Sequence, residues 1–380
     1  MTTQPSQPQN TQTDIPHTAS AVLYVDRAAL RTNYQTLDTY VTPSCQVAPV
    51  VKTNAYGLGA QEVVATLKSL GAHHFFVATL EEALSLRQGD QDITIYVLNG
   101  LWPDVMYEAA HHHITPILST PEQVAAWRHT AQLLQRSLPC WLQVETGLNR
   151  LGLTPDILNQ LAQSPDATQG LTVDALMSHL ACGYDLHASY NEYQRLLFEQ
   201  SFAAFPQARK SFANSAGLLH GPSYFYDIAR PGRFLYGSML SAHNPLSAHL
   251  RHVITLRGRI MQVRTLKKGE GIGYDQTFMA PRDMRIATVS VGYGDGYFQS
   301  LSNKAAGMIG QHTLPVVGRI SMDLTTFDVT DVPPQELEQA TWMDLINDTL
   351  TIDALAAHAQ TSVWEILTHL GKRLHVSYVN

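Results

Sequence analysis

The sequence has little of several features that mark particular classes of protein. Its 380 residues include three cysteines, Cys45, Cys140 and Cys182, whose wide spacing gives neither a disulfide framework nor a zinc motif. This cysteine usage favours a reducing compartment, the cytoplasm. No apolar run reaches the ~18 residues that a transmembrane helix needs. Positive charge is also scarce, with a formal net charge of −7, so we expect neither a membrane nor a nucleic-acid partner.

The first 20 residues lack the basic start and the apolar segment of a secretory signal. They are rich in Gln, Thr, Ser and Pro, so residues 1–20 are predicted to form a disordered tail. The remaining chain is long enough for two domains. With 44% hydrophobic and 15% charged residues, it can bury a sizeable core.

Residues 21–245 alternate short strand-like runs with helical segments. Thr120 and Thr154 each precede a proline, an order typical of an N-cap followed by the first helical residue. The alternation predicts a parallel (β/α)8 barrel, with an open doubly wound sheet as the alternative. No GxGxxG follows the first strand, which disfavours the dinucleotide-binding form of that alternative. Eight runs are predicted as barrel strands: QVAPVVKTN, HFFVATL, ITIYVLNG, ITPILST, PCWLQVETG, VDALMSHLA, KSFANSAG and YDIARPGRFLYG.

Residues 246–380 change in character. Long alternating stretches punctuated by glycines, such as VITLRGRIMQVRTL, indicate strands, with one helical patch near the end. We therefore predict a mostly β C-terminal domain. The early strand AVLYVD, residues 21–26, is placed with the barrel by its position, although pairing with the second domain is also open.

Functional side chains of such a barrel lie at the carboxyl ends of its strands. A partly desolvated lysine near other cations has a lowered pKa and can attack a carbonyl carbon. The segments ANSAG and RPGR add a hydroxyl group and backbone N–H groups that suit a phosphate. Together these features suggest pyridoxal phosphate as cofactor, and no metal site is predicted. The polar residues at the strand ends are Lys52, Tyr56, Glu145, Asn149, Arg150, His179, Asn214, Ser215 and Arg230.

From residue 21 onward the chain resembles the alanine racemases, on eight motifs that occur in the family's order. The resemblance implies a pyridoxal-phosphate enzyme with a barrel and a C-terminal β domain, active as a homodimer. It also implies interconversion of L- and D-alanine, for peptidoglycan supply or for alanine catabolism. The motifs are VVKTNAYGLG, ETGLNRLG, MSHLA, ANSAG, ARPGRFLYG, GIGYDQTF, VGYGDGY and VVGRISMD.

Racemisation needs two acid–base groups, because a proton leaves one face of the substrate and another arrives at the opposite face. The resemblance implies that Lys52 binds the cofactor covalently and acts as one base. Tyr274 corresponds to the second base, supplied by the partner subunit. Arg230 corresponds to the arginine that faces the pyridine nitrogen. Other cofactor contacts correspond to Tyr56, His179, Asn214, Ser215, Gly232 and Arg233, substrate contacts to Arg150 and Met322, and the entrance and its surroundings to Tyr293 and Asp323.

The chain departs from the family pattern at four positions. Gln143 stands where many members have a carbamylated lysine that steadies the arginine matched by Arg150. Either Glu145 or a bound anion is expected to take over that role. Leu58 replaces a histidine and Ser321 replaces a cysteine. Lys372 aligns loosely with a phosphate-binding tyrosine, so we do not count it as a site residue.

Three other functions are weighed against alanine racemisation. The same scaffold serves broader racemases for serine or basic amino acids, which differ in the shape of the substrate pocket. A non-catalytic carrier of pyridoxal phosphate would lack the second base, whereas Tyr274 is present. A decarboxylase of this fold class uses a cysteine in the C-terminal domain, and no cysteine follows Cys182.

Overall fold

The computed structural model describes residues 15–41, 43, 45–238, 246–371 and 373–380. The chain divides into two compact units, one formed by Ala29–Arg251 and the other by His252–Asn380 with the segment that ends at Ala28. Most of the predicted tail, residues 1–14, lies outside the described residues, and residues 15–20 contain no helix or strand. None of the helices in the described ranges has the length and apolar character needed to cross a lipid bilayer.

Within the described part of Ala29–Arg251, eight parallel strands form a closed ring. Numbering starts with β1 (Ala21–Asp26), which lies outside this unit. Strands β3 to β8 pair in chain order, and β2 pairs with β9. Single bridges from Val50 to Phe76 and from Asn214 to Arg230 join the two sets. The predicted (β/α)8 barrel is thus confirmed. Its strands are β2 (Gln46–Val47), β3 (His74–Val77), β4 (Thr94–Val97), β5 (Ile114–Leu118), β6 (Leu138–Gln143), β7 (Leu171–Met177), β8 (Arg209–Ser211) and β9 (Ile228–Ala229).

Three helices of this unit begin after a threonine whose side chain caps them. Thr120 and Thr154 each accept a hydrogen bond from the backbone N–H three residues later, as the sequence predicts. Thr79 makes the same bond at 3.4 Å. The helices are α1 (Arg27–Tyr40), α2 (Lys52–Tyr56), α3 (Ala60–Lys68), α4 (Leu80–Gly89), α5 (Met106–His111), α6 (Pro121–Leu134), α7 (Pro155–Gln163) and α8 (Ser189–Gln200).

Apolar side chains fill the interior of the ring. The aromatic rings of Phe76, Tyr96 and Trp141 contact one another at centroid distances of 4.6 to 5.2 Å, with the Phe76 and Tyr96 rings stacked. Burying each such ring stabilises the fold by about 2–3 kcal/mol. This packed layer gives the polar residues at the strand ends a rigid base. Its other members are Ala48, Val50, Ile117, Ala175, Met177 and Ile228.

The second unit is mostly β, as predicted. Its main sheet has the order β15-β14-β17-β10-β1-β18, and β13 pairs with both β10 and β16. A separate hairpin joins β11 and β12. The strands are β10 (Ile254–Leu266), β11 (Gly271–Ile272), β12 (Phe278–Met279), β13 (Met284–Val289), β14 (Ala306–Ile309), β15 (His312–Pro315), β16 (Thr325–Asp328), β17 (Trp342–Ile346) and β18 (His375–Val379), with helices α9 (Pro334–Gln339), α10 (Ile352–Ala359) and α11 (Val363–His369).

The domain boundaries differ from the predicted 21–245 and 246–380. Strand β1 pairs with β10 and β18 of the second unit, because a closed barrel leaves no free edge to receive it. Residues up to 251 belong with the barrel instead. The buried Asn33 side chain donates to the carbonyls of Leu235 and Arg251 and accepts from the Arg251 N–H, which fixes this segment to α1.

Candidate active site

Lys52 follows the first barrel strand and begins a left-handed turn. Thr53, Asn54, Ala55 and Tyr56 all have φ between 54° and 56°, a conformation that costs about 1–2 kcal/mol per residue outside glycine. The turn is held by bonds from the Ala55 N–H to the Val51 carbonyl and from the Gly57 N–H to the Thr53 carbonyl, each 2.8 Å. Four strained residues in a row indicate a backbone shape that the site requires.

The Lys52 ammonium lies partly buried among other cations. Burial lowers its pKa, the positive charges of Arg150 and Arg233 lower it further, and Glu82 opposes them. A lysine in this environment is more readily deprotonated than one in water, as the sequence predicted from the neighbouring arginines. Such a group can act as a nucleophile or as a base.

His179 at the end of β7 is held neutral. Burial and the charges of Arg230, Arg150, Lys52 and Arg233 lower its pKa to about 3. The Gly217 N–H donates to Asn214 Oδ1 (2.9 Å), so the Asn214 amide turns its Nδ2 towards His179 Nε2, 3.1 Å away. Because Nδ2 can only donate, Nε2 accepts and carries no proton.

The lowered pKa of His179 predicts an acid-sensitive fold. The unfolded chain takes up a proton near pH 6.5 and the folded one only near pH 3, so the free energy of unfolding falls as the pH drops through this window. We expect a loss of about 2–3 kcal/mol from this residue between pH 7 and 4.5. Urea unfolding of wild type and His179→Gln over that range tests it. Parallel pH dependences in the two proteins would contradict the assignment.

Arg230 is buried, with 2% of its surface exposed. One terminal nitrogen donates to Ser211 Oγ and the other to the Ser178 carbonyl, 2.6 Å away. Burial lowers the pKa of Arg230 to about 9, so the guanidinium is still charged at neutral pH. The predicted arginine at the end of the last strand is therefore a fixed positive charge inside the barrel.

Ser215, Gly232 and Tyr56 converge just beyond the last barrel strand. Ser215 Oγ accepts from the N–H groups of Gly232 (3.1 Å) and Phe234 (3.3 Å), which leaves its own proton to donate. Burial raises the pKa of Tyr56 to about 12, so this hydroxyl also keeps its proton. Two protonated hydroxyls and the cation Arg233 suit an anion such as a phosphate.

Gly232 is required by the position of Tyr56. A Cβ on residue 232 would lie 2.4 Å from Tyr56 Oη. The Tyr56 ring also packs against the Tyr236 ring, with 4.8 Å between the ring centroids. Gly232→Ala is therefore expected to lower the free energy of unfolding by about 1–3 kcal/mol and to weaken phosphate binding. Chemical denaturation and cofactor titration measure both. Gly89→Ala, whose Cβ would meet nothing closer than 3.5 Å, is the control and should leave cofactor binding unchanged.

Arg150 is presented by a tight turn after β6. Val144 bridges to Leu153, and a Cβ on Gly152 would lie 2.7 Å from the Glu145 nitrogen, so only glycine fits. Gln143 donates to the Leu151 carbonyl (2.8 Å), and the Glu145 carboxylate accepts from the Gly147 N–H. Among the described residues Arg150 has no ion-pair partner, so pairing with Glu145 is not observed and the bound anion stays a prediction.

Two residues of this region were missed by the sequence analysis. Gln194 of α8 is fully buried and donates to the His179 carbonyl (3.1 Å) and to Thr146 Oγ1 (3.2 Å). The Arg233 guanidinium lies 4.4 Å from the ring centroid of Tyr184, a cation–π contact. Neither Gln194 nor Tyr184 lies at the carboxyl end of a strand, which is where the sequence analysis looked for site residues.

The remaining predicted residues lie in the β-rich unit. Tyr274 has 67% of its surface exposed and follows Gly273, whose φ is 71°. The next residue, Asp275, pairs with Arg319 at 2.5 Å. This ion pair fixes the turn that carries Tyr274 and leaves the phenol free to project outward.

Tyr293, Met322 and Asp323 come together on two adjacent loops. The N–H of Tyr293 donates to the Ser321 carbonyl and that of Gly294 to the Met322 carbonyl. Arg373 pairs with Asp323 (2.7 Å) and Asp295 (3.0 Å). The predicted residues from Lys52 to Arg233 thus lie in the barrel unit, and those from Tyr274 to Asp323 lie in the β-rich unit. Lys372 lies outside the described residues.

The residues of the barrel unit fit pyridoxal phosphate. Lys52 offers an amine of lowered pKa, and Ser215, Tyr56 and Arg233 offer donors for a phosphate. The close approach of Gly232 to Tyr56 forms a cradle that any side chain at residue 232 would fill. The neutral His179 lies close enough to Lys52, Arg230 and Arg233 for their charges to lower its pKa.

The comparisons agree with this assignment. A family model described as "Alanine racemase, N-terminal domain" matches residues 25–239, and one described as "Alanine racemase, C-terminal domain" matches residues 253–378. The chain is 40% identical over 358 residues to a protein named alanine racemase from Rhodospirillum rubrum, covering 93% of this chain and 95% of that protein. One of the same name from Brucella suis is 38% identical over 373 residues, or 95% of this chain and 94% of the relative.

Solved structures give the same result. The crystal structure of alanine racemase from Bartonella henselae with covalently bound pyridoxal phosphate has a TM-score of 0.88 and 35% identity, and it covers 95% of this chain and 100% of that one. Fold, motifs and relatives agree over nearly the whole described length. The chain belongs to the alanine racemase family.

Proposed function

We propose that this protein interconverts L- and D-alanine with pyridoxal phosphate. The observation that carries the proposal is the lowered pKa of the Lys52 amine. This amine lies near the neutral His179 and the cations Arg150 and Arg233. When bound, pyridoxal phosphate supplies an electron-accepting ring that makes the α-proton of an amino acid more acidic. The relatives that carry the name alanine racemase support this substrate.

Lys52 and Tyr274 are the two acid–base groups of the proposed reaction. Lys52 moves the proton at one face of the α-carbon through its Nζ atom, and its lowered pKa brings it closer to the working pH. Tyr274 moves the proton at the other face through its hydroxyl. Its exposure suits a role towards a second copy of the chain, so we propose a homodimer in which the partner subunit supplies this tyrosine.

The phosphate end of the cofactor is proposed to lie against Ser215, Tyr56 and Arg233. Ser215 Oγ has one proton left after accepting two backbone bonds, and a phosphate oxygen is a strong acceptor. The Gly232 and Phe234 N–H groups already donate to Ser215 Oγ and so hold it in place. His179, whose Nε2 accepts a hydrogen bond from Asn214, is proposed to pack against the pyridine ring of the cofactor.

Arg230 is proposed to face the pyridine nitrogen and to keep it unprotonated, because the guanidinium itself stays charged. Arg230→Glu is then expected to raise transamination, measured as pyruvate formed per racemisation event, by several-fold. The change also removes two buried hydrogen bonds, so the product ratio and not the rate is the readout. An unchanged ratio in folded protein would count against this role.

Arg150 is proposed to bind the substrate carboxylate, and the resemblance implies Met322 as a second substrate-binding residue and Tyr293 and Asp323 as residues of the entrance and its surroundings. A broader racemase for serine or basic amino acids is the alternative, decided by the shape of this pocket. The proposed setting is the cytoplasm, where D-alanine serves peptidoglycan supply or alanine catabolism.

Purified protein loaded with pyridoxal phosphate tests the function directly. We expect interconversion of L- and D-alanine, followed by chiral chromatography, at a higher kcat/KM than for serine, lysine or arginine. Serine or a basic amino acid as the better substrate would favour the alternative. Cofactor binding without interconversion of any amino acid would indicate a carrier and overturn the proposal.

A further inference from the structure

Glu82 makes contacts that its sequence context does not predict. Thr79 and Glu82 have the spacing of a capping box, in which the glutamate bonds to the backbone N–H of the threonine. The structure shows another arrangement. Glu82 Oε2 accepts from the Ala78 N–H at 2.7 Å, and Oε1 accepts from the Thr53 N–H at 2.5 Å.

The two N–H groups belong to neighbouring strand ends. Ala78 follows β3 directly, and Thr53 is the first residue of the left-handed turn after Lys52. A carboxylate that accepts from both forms two charge-assisted hydrogen bonds, which are about twice as strong as neutral ones. Backbone bonds join the turn to Val51 before it and to Gly59 after it, and Asn54 Oδ1 accepts from the Ala60 N–H. Glu82 instead ties its first residue to β3.

We propose that Glu82 is a positioning residue, which holds the strained turn so that Lys52 and Tyr56 face the site together. The turn separates these residues by three positions of left-handed backbone. If Thr53 relaxed to a right-handed conformation, the chain direction after Lys52 would change and Tyr56 would leave Gly232. The consequence for catalysis rests on the proposed function, whereas the structural role does not.

The charge of Glu82 has a second effect on the same lysine. The charged groups that act on Lys52 are Arg150 and Arg233, which disfavour its ammonium form, and Glu82, which favours it. Glu82 therefore limits how far the two arginines depress the pKa of Lys52. A side chain that only stabilised the fold would have no such effect.

Glu82→Gln tests the proposal in the full-length protein loaded with pyridoxal phosphate. Glutamine can accept from one N–H but turns an NH2 group towards the other. We expect backbone amides of residues 52–57 to exchange with deuterated solvent about ten-fold faster than in wild type. Glu81→Gln is the matched control, because Glu81 is exposed in the same helical turn, and it should exchange like wild type. Equal exchange in Glu82→Gln and Glu81→Gln would overturn the proposal.

A pH titration separates positioning from simple stability. The rate at which cofactor-stripped protein rebinds pyridoxal phosphate depends on deprotonated Lys52, so its midpoint should move to lower pH in Glu82→Gln and stay in place in Glu81→Gln. An unmoved midpoint would remove the electrostatic part of the proposal. If Glu82→Gln does not fold, Glu82→Asp carries the amide-exchange comparison, because its shorter side chain cannot reach both N–H groups although it keeps the charge. Racemisation by wild type is a separate result, so failure of the proposed function is distinguishable from failure of this one.

Discussion

Lys52→Ala is expected to lower racemisation of alanine by about 10⁴-fold or more, because one substitution removes both the covalent attachment of the cofactor and one of the two bases. The visible absorbance that the bound cofactor has in wild type should also be lost or shifted. Chiral chromatography and absorbance spectroscopy of the purified protein measure the two effects. The protein should still fold, since Lys52 makes no ion pair with any described residue and burial disfavours its charge.

Lys304→Ala provides the control for the loss of a lysine as such, since Lys304 is exposed and lies in the β-rich unit. It should match wild type in rate and spectrum. A Lys52→Ala protein that kept the wild-type spectrum and more than about a tenth of the wild-type rate would mean that another group holds the cofactor.

Tyr274→Phe is expected to affect the two enantiomers of alanine unequally. The change removes only a hydroxyl from a side chain that is 67% exposed, so the free energy of unfolding should change by less than about 0.5 kcal/mol. Racemisation should fall by about 10²- to 10⁴-fold, the range for loss of one acid–base group. Exchange of the α-proton with deuterated solvent should persist for the enantiomer that Lys52 serves and fall for the other.

Tyr107→Phe is the matched control, because Tyr107 is 56% exposed and lies on α5 of the barrel unit. Its exchange rates for both enantiomers should equal those of wild type. Equal reductions for the two enantiomers in Tyr274→Phe would show that the phenol does not serve one face, and would exclude it as the second base.

The barrel and most residues of the candidate site could be predicted from the sequence, because both predictions follow from local pattern. Apolar runs separated by capped helices give the strands, and the strand ends give Lys52, His179, Ser215 and Arg230. Gln194 and Tyr184 reach the site from a helix and a loop, so no periodic signal marks them. Their contribution depends on tertiary packing, which a single sequence does not display.

Local pattern also misleads in two places. Thr79 and Glu82 have the spacing of a capping box, yet the carboxylate bonds elsewhere because Thr53 offers a nearby N–H. Residues 53–56 have a left-handed backbone but contain no glycine, the residue that would predict this conformation from the sequence. Both departures involve one contact between segments that are distant in sequence, the hydrogen bond from the Thr53 N–H to Glu82. The pairing of β1 follows from no local pattern at all, since its partners lie more than 200 residues away in the chain.

The position of β1 between β10 and β18 has a consequence for synthesis on the ribosome. Val22 is opposite His375 in the sheet. Strand β1 therefore cannot pair with β18 until nearly the whole chain has been synthesised. At about 5–20 residues per second this delay is on the order of 20–70 seconds. The barrel unit can fold during that time and β10 can pair with one edge of β1, whereas the edge that faces β18 remains unpaired and open to capture by other chains. We expect nascent chains stalled before residue 375 to depend on chaperones that cover this segment.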